Sequence, residues 1–213
     1  MYEEKVRLKI IDCFCVFACV WSVGACVVSD HRRNFDIFIR RVLTGELNEQ
    51  NRKRLSPVIP DKSSIFDFIF SIVDSTTLQW NHWSESELSN LDMTFSKDLL
   101  PNEIIVPTID TVRYTYLLQQ LVENYIPVLF CGGTGTGKTI YVKDVLMNKL
   151  KKDTWLSVEV GYSAQTHANS AQDAIDSRFE VRKKKGIFMP GPDKSCAIFV
   201  DDLNMPEPEQ WGA

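Results

Sequence analysis

Basic charge is not in excess in this sequence: 24 Lys and Arg stand against 28 Asp and Glu, for a formal net charge of −4. That balance excludes nucleic acid as a main partner, because a phosphate-tracking surface needs a surplus of cations. There is no N-x-[ST] acceptor and no C-x₂-C pair, so neither a glycosylation site nor a cysteine zinc set is present. The six cysteines (Cys13, Cys15, Cys19, Cys26, Cys131, Cys196) read as buried thiols of a reducing compartment. His82 has no Cys, Asp or Glu partner at metal spacing and reads as a surface residue. Internal repeats and low-complexity tracts are absent. So is an uninterrupted apolar run of membrane length: after Asp12, Cys13 to Val28 gives 16 residues, short of the roughly 20 that span a bilayer. No signal-peptide cleavage site follows it. This run is expected to be a buried helix of a larger assembly, with no membrane role.

What is there is a chain of 213 residues, 44% hydrophobic, enough for one or two globular domains. Its most informative stretch is Val128-Leu-Phe-Cys-Gly-Gly-Thr-Gly-Thr-Gly-Lys-Thr-Ile140. Gly132, Gly137, Lys138 and Thr139 satisfy G-x-x-x-x-G-K-[ST], a spacing that lets consecutive backbone N–H groups curl around a polyphosphate. An apolar strand is expected before the loop and a helix after it, whose positive dipole end lies beneath the phosphates. Lys138 is expected to reach the β- and γ-phosphates and the Thr139 hydroxyl to ligate Mg²⁺. Further on, Cys196-Ala-Ile-Phe-Val-Asp-Asp202 is an apolar strand ending in two carboxylates, the form of a Walker B element. A strand buried on both faces of a parallel sheet is continuously apolar, and its carboxyl end opens at the ligand crevice. Asp201 is thus expected to orient Mg²⁺ and Asp202 to face the attacking water.

The remaining elements follow from periodicity. Asp30 to Val42 predicts a helix stopped at Gly45, and Leu47 to Lys62, with Pro57 and Pro60, reads as a linker. Ser64–Val73 and Thr76–Trp83 predict a β-hairpin, with Trp80 and Trp83 as cross-strand packing residues. Thr108 to Asn124 predicts a capped helix, Thr154 to Tyr162 a strand, and Ser163 to Arg182 a helix leading into the basic turn Arg182-Lys-Lys-Lys-Gly186. The expected domains are a helical segment over 1–56, a linker with a β-hairpin over 57–102 and a P-loop α/β domain with a parallel sheet and flanking helices over 103–213.

Four stretches in this order resemble the heavy chains of axonemal dyneins: Val106-Pro-Thr-Ile-Asp-Thr-Val-Arg113, Gly132 to Thr139, Tyr162-Ser-Ala-Gln-Thr-His-Ala-Asn169 and Ile198-Phe-Val-Asp-Asp-Leu-Asn-Met-Pro206. Their spacing is similar to that of the third AAA+ module of the motor ring, preceded by the end of the second. The resemblance implies an ATP-hydrolysing, minus-end-directed microtubule motor that bends cilia and flagella, located in the cytoplasm and axoneme. It implies ATP and Mg²⁺ as cofactors, and as partners the other AAA+ modules, intermediate and light chains, and microtubules. Carried onto this chain, it places Gly132, Gly133, Thr134, Gly135, Thr136, Gly137, Lys138, Thr139 and Ile140 around the phosphates, Val106 and Pro107 beside the adenine, and Thr139 and Asp201 on the metal. Lys138 and Asp202 are then the catalytic pair. Two positions depart from the family: Gly133 stands where Pro is usual, and Asp202 where most AAA+ ATPases carry Glu. Asp is one methylene shorter, and a displacement of about 1 Å can slow a reaction on the order of a hundredfold, so tight binding with slow, regulatory turnover is expected. The chain ends soon after the Walker B strand, and an incomplete ATPase, inactive in isolation, is expected. Two other readings remain open at this point: a free-standing P-loop nucleotide-binding protein, and a non-catalytic interaction fragment.

Overall fold

The computed structural model describes residues 4–46, 55–74, 77–86, 106, 108–182 and 187–208. The chain divides into two compact units, Met1–Ser96 and Lys97–Ala213.

The first unit is two helices and a hairpin. Helix α1 (Glu4–Ser22) and a 3₁₀ turn at Gly24–Cys26 are followed by α2 (Arg32–Leu43), which Thr44 and Gly45 (φ 78°) close. Strands β1 (Phe68–Ile72) and β2 (Leu78–His82) pair antiparallel, Phe70 opposite Trp80. Ser64 caps the 3₁₀ turn ahead of β1 through a reciprocal pair of bonds with Asp67. The core joins Cys13 and Val20 of α1 to Phe66, Phe68, Phe70 and Trp80. Trp83 is fully buried and donates its indole N–H to the Phe66 carbonyl at 3.1 Å, so both tryptophans serve packing. His82 bonds Ser84 at 2.7 Å through Nδ1.

One expectation for this unit is corrected, and α1 is only partly covered within it. The stretch read as a linker contributes Leu55 and Ile59 to the same core, so part of it is packed structure. Arg40 fixes it: the guanidinium donates to the carbonyls of Ile59, Pro60 and Ser63 and to the carboxylates of Asp36 and Asp61. Helix α1 is buried on one side only, at Cys13 and Val20, while Leu8, Ile11 and Phe14 remain exposed. Counted through Asp12, the helical stretch Glu4–Cys26 has 23 residues and a mean hydropathy of 1.8, which by length and composition suffices to cross a bilayer. The Phe14 and Phe17 rings lie against Phe70 and Trp83 of the hairpin region.

The second unit is a P-loop layer. Helix α3 (Ile109–Glu123) starts at Thr108, whose hydroxyl accepts from the Thr111 N–H at 3.1 Å. Helix α4 (Lys138–Asp144) continues through a π-helical turn at Val145–Lys149. Strands β3 (Trp155–Gly161) and β6 (Ser195–Asp201) pair in parallel, Gly161 opposite Asp201. Their odd-numbered residues face α4: Ala197 and Phe199 pack with Val142, Val145 and Leu146. Val158 and Val160 are also buried, and α5 (Ala168–Asp176) contacts β3.

Three predictions fail here. Residues 128–131 precede the loop as expected but form no strand, and Leu129 is 73% exposed. The helix expected over 163–182 shrinks to α5, and β4 (Glu180–Arg182) pairs antiparallel with β5 (Ile187–Met189); residues 183–186 of the basic run lie outside the described residues. The cysteines are not uniformly buried: all six are free, Cys13 is buried, Cys15, Cys26 and Cys131 are exposed, and Cys19 and Cys196 lie between. Burial pushes the Cys13 thiol up to about 11, with Asp12 adding to the effect, and burial also raises Cys196.

Candidate functional site

The loop owes its shape to glycine at two positions. Gly135 and Gly137 sit at φ 77° and 83°, in the left-handed region that side chains disfavour. At Gly137 a Cβ would also lie 3.2 Å from the Tyr141 ring. Gly137 is the residue that caps α4, and its carbonyl accepts from the Tyr141 N–H at 3.1 Å.

Within this turn the Lys138 ammonium donates to the carbonyls of Gly132 (3.0 Å) and Gly133 (2.6 Å) and lies 3.4 Å from the Thr136 hydroxyl. Thr136 in turn donates to the Gly133 carbonyl at 2.9 Å. The cation is therefore held inside the glycine turn and stays half-exposed, where an anionic ligand can reach it. Across the unit, the Thr139 hydroxyl donates to Asp201 Oδ1 at 3.2 Å. The same oxygen accepts from the Asp202 N–H at 3.1 Å, and the Asp201 carbonyl accepts from Tyr162 N–H at 3.0 Å. Asp202 itself is exposed and takes φ 53°, which starts a tight turn closed by Met205 N–H to its carbonyl.

The structure thus brings together Gly132, Gly133, Thr136, Lys138, Thr139 and Asp201. Asp202 adjoins them through the chain, Gly135 and Gly137 shape the turn, and Thr134 is exposed within it; Ile140 is 49% exposed on the first turn of α4. Val106 is exposed, and its carbonyl accepts from the Thr111 hydroxyl at the start of α3. Pro107 lies outside the described residues.

These residues fit a polyphosphate with a divalent cation. A hydroxyl and a carboxylate oxygen 3.2 Å apart are hard oxygen donors of the kind Mg²⁺ takes, and they sit at the end of a glycine turn carrying one ammonium. Among the described residues there is no cluster of three or more His, Cys, Asp or Glu side chains for a metal, so a cation here would depend on ligand oxygens as well.

One neighbouring pair escaped the sequence reading. Lys143, one turn beyond Thr139 on α4, bonds Glu159 of β3 at 2.6 Å. The signal was an acidic residue between two buried valines of a strand.

Comparison with known proteins bears on the whole chain. Residues 2–85 match the dynein heavy chain AAA lid domain, and residues 93–213 match the P-loop containing dynein motor region. The chain is similar to dynein axonemal heavy chain 12 of Homo sapiens, at 38% identity over 94% of this chain and 6% of that protein. Dynein axonemal heavy chain 3 of Homo sapiens is 34% identical over 93% of this chain and 5% of its own length. Dynein axonemal heavy chain 2 of Mus musculus is 35% identical over 93% and 4%. The chain therefore spans about one twentieth of the length of the relatives it matches.

Proposed function

Since the chain belongs to the dynein heavy chain family, we propose that its second unit binds ATP with Mg²⁺ as a regulatory module of an axonemal, minus-end-directed microtubule motor. The observation that carries this reading is the bond between Thr139 and Asp201, which places the hydroxyl of the P-loop helix against the carboxylate of the Walker B strand. The succession of a lid match ending at residue 85 and a motor match beginning at residue 93 supports a chain that crosses from one AAA+ module into the next, whose P-loop domain we place from near residue 103. On the motif order of its P-loop half, we assign these to the second and third modules. Helix α1 belongs to the lid on this reading, and no membrane role is assigned to it.

Each residue then has a part. The loop N–H groups and Lys138 bind the phosphates, Thr139 and Asp201 hold Mg²⁺, and Val106 and Pro107 flank the adenine. Mg²⁺ would neutralise phosphate charge when bound. Asp202 holds the attacking water by its carboxylate, one methylene short of the usual reach, so turnover is slow and the site gates other modules. Those modules, the intermediate and light chains and the microtubule are partners of the complete heavy chain, and its place is the axoneme of cilia and flagella. The free-standing P-loop protein is disfavoured by alignment to heavy chains over more than nine-tenths of the chain.

Isothermal titration tests the reading. Heat on adding MgATP that weakens in EDTA and in Asp201→Asn supports it. No heat up to about 1 mM ATP, a free energy near −4 kcal/mol, removes the binding role.

A further inference from the structure

The face that β3 and β6 turn toward the P-loop helix carries three polar ties. Thr139 donates to Asp201 at 3.2 Å, Lys143 pairs with Glu159 at 2.6 Å, and the Leu146 carbonyl accepts from the Ser157 hydroxyl at 2.9 Å. On the helix these positions fall at i, i+4 and i+7; on β3, Ser157 and Glu159 alternate onto one face, and Gly161 next along that face pairs with Asp201. The apolar contacts of Val142, Val145 and Leu146 with Ala197 and Phe199 press the helix onto the sheet. Close packing limits how far the helix can slide along the strands, but apolar burial has no preferred direction of its own. The polar ties are directional, and Lys143–Glu159 is the ionic one, next to the metal-binding end.

As a stabiliser this pair is weak, because both side chains are partly exposed, 44% and 34%. Its geometry is tight all the same. The bond to Glu159 holds the Lys143 ammonium above the usual lysine range, and the charges of Glu159 and Asp201 add to it, which places Lys143 within the field of the metal-binding carboxylate.

We propose that Lys143 and Glu159 are a positioning pair: their ion pair sets the height of the P-loop helix on β3, and with it the Thr139–Asp201 separation that grips Mg²⁺. This rests on the nucleotide–Mg²⁺ reading of the site. The pair touches neither phosphate nor metal and acts through Thr139.

The test is a titration of Mg²⁺ into the full chain holding a fluorescent ATP analogue, with the metal-free affinity measured in EDTA. Lys143→Met and Glu159→Ala are each expected to raise the half-saturating Mg²⁺ about fivefold, the scale of one well-formed exposed pair. Metal-free affinity is expected to stay within about twofold and the thermal midpoint to move little. The double variant should be no worse than either single one, since both remove the same bond, and Lys143→Arg should restore the parent value. A parent chain that binds the analogue while Lys143→Met leaves the Mg²⁺ requirement unchanged overturns the positioning role and spares the site. Equal losses with and without Mg²⁺ also overturn it, since they mark general destabilisation. A parent that binds no analogue at all overturns the site, and this role with it.

Discussion

The two units of this chain are held by different means. In the first, rings meet rings: Trp21 lies edge-on to Phe66 at 5.8 Å and to Trp83 at 6.4 Å, and Phe14 meets Phe70 at 5.1 Å. In the second, the buried residues around Val145 are aliphatic with Phe130, Trp155 and Phe199 at their edge, polar ties run along α4, and Lys138, Thr139 and Asp201 stay half-exposed. The difference separates stability from affinity. Truncating a ring should unfold the first unit, whereas truncating a P-loop side chain should cost ligand and leave the fold standing.

Trp83→Ala is the strongest way to sharpen that contrast. It is expected to destabilise the first unit by about 3–5 kcal/mol in chemical denaturation, because a fully buried indole and its bond to Phe66 are lost together. A loss below about 1 kcal/mol would break the contrast from this side. Lys138→Ala is next: ATP affinity should fall about tenfold to a hundredfold, the size of charge-assisted bonds worth about 1.5–3 kcal/mol, with the unfolding midpoint unmoved. Unchanged affinity would sink the phosphate assignment.

Smaller effects divide the two left-handed glycines. Gly135→Ala and Gly137→Ala both force alanine into the left-handed region at about 1–2 kcal/mol, but only Gly137 also sets its Cβ against a ring. ATP binding should therefore suffer more in Gly137→Ala, and the reverse order would show that the loop re-forms in another shape. The smallest effect concerns thiols. At pH 8, iodoacetamide should label Cys15, Cys26 and Cys131 well before Cys13, whose buried thiol is held neutral with a pKa pushed up to about 11. Early labelling of Cys13, mapped by mass spectrometry, would mean that α1 leaves the hairpin readily.

Local signals were enough for much of the architecture. Thr108 announced α3, the aromatic alternation around Phe70 and Trp80 announced the hairpin, and the apolar run from Cys196 announced β6. What failed depended on distant partners. Residues 128–131 have strand composition, but a strand exists through its ladder and no strand pairs with them among the described residues. Helical spacing over 163–182 concealed that Glu180–Arg182 pairs with Ile187–Met189 instead. Leu55 and Ile59, set among prolines and polar residues, gave no periodic sign of joining a core. At the candidate site the motif residues were legible because their spacing carries the chemistry. Lys143 and Glu159 were not, since their meeting requires the helix to lie on β3.

Arg40 carries a consequence of its own. Five acceptors from Asp36, Ile59, Pro60, Asp61 and Ser63 converge on one planar fork, so one side chain ties α2 to residues 59–63 ahead of the hairpin. A lysine offers three donors from one point and has no fork with which to reach them all. Other bonds seat the two ends of the stretch, Leu55 N–H on the Leu43 carbonyl and the Trp80 indole N–H on the Pro57 carbonyl, while between them one guanidinium gathers residues 59–63 against α2.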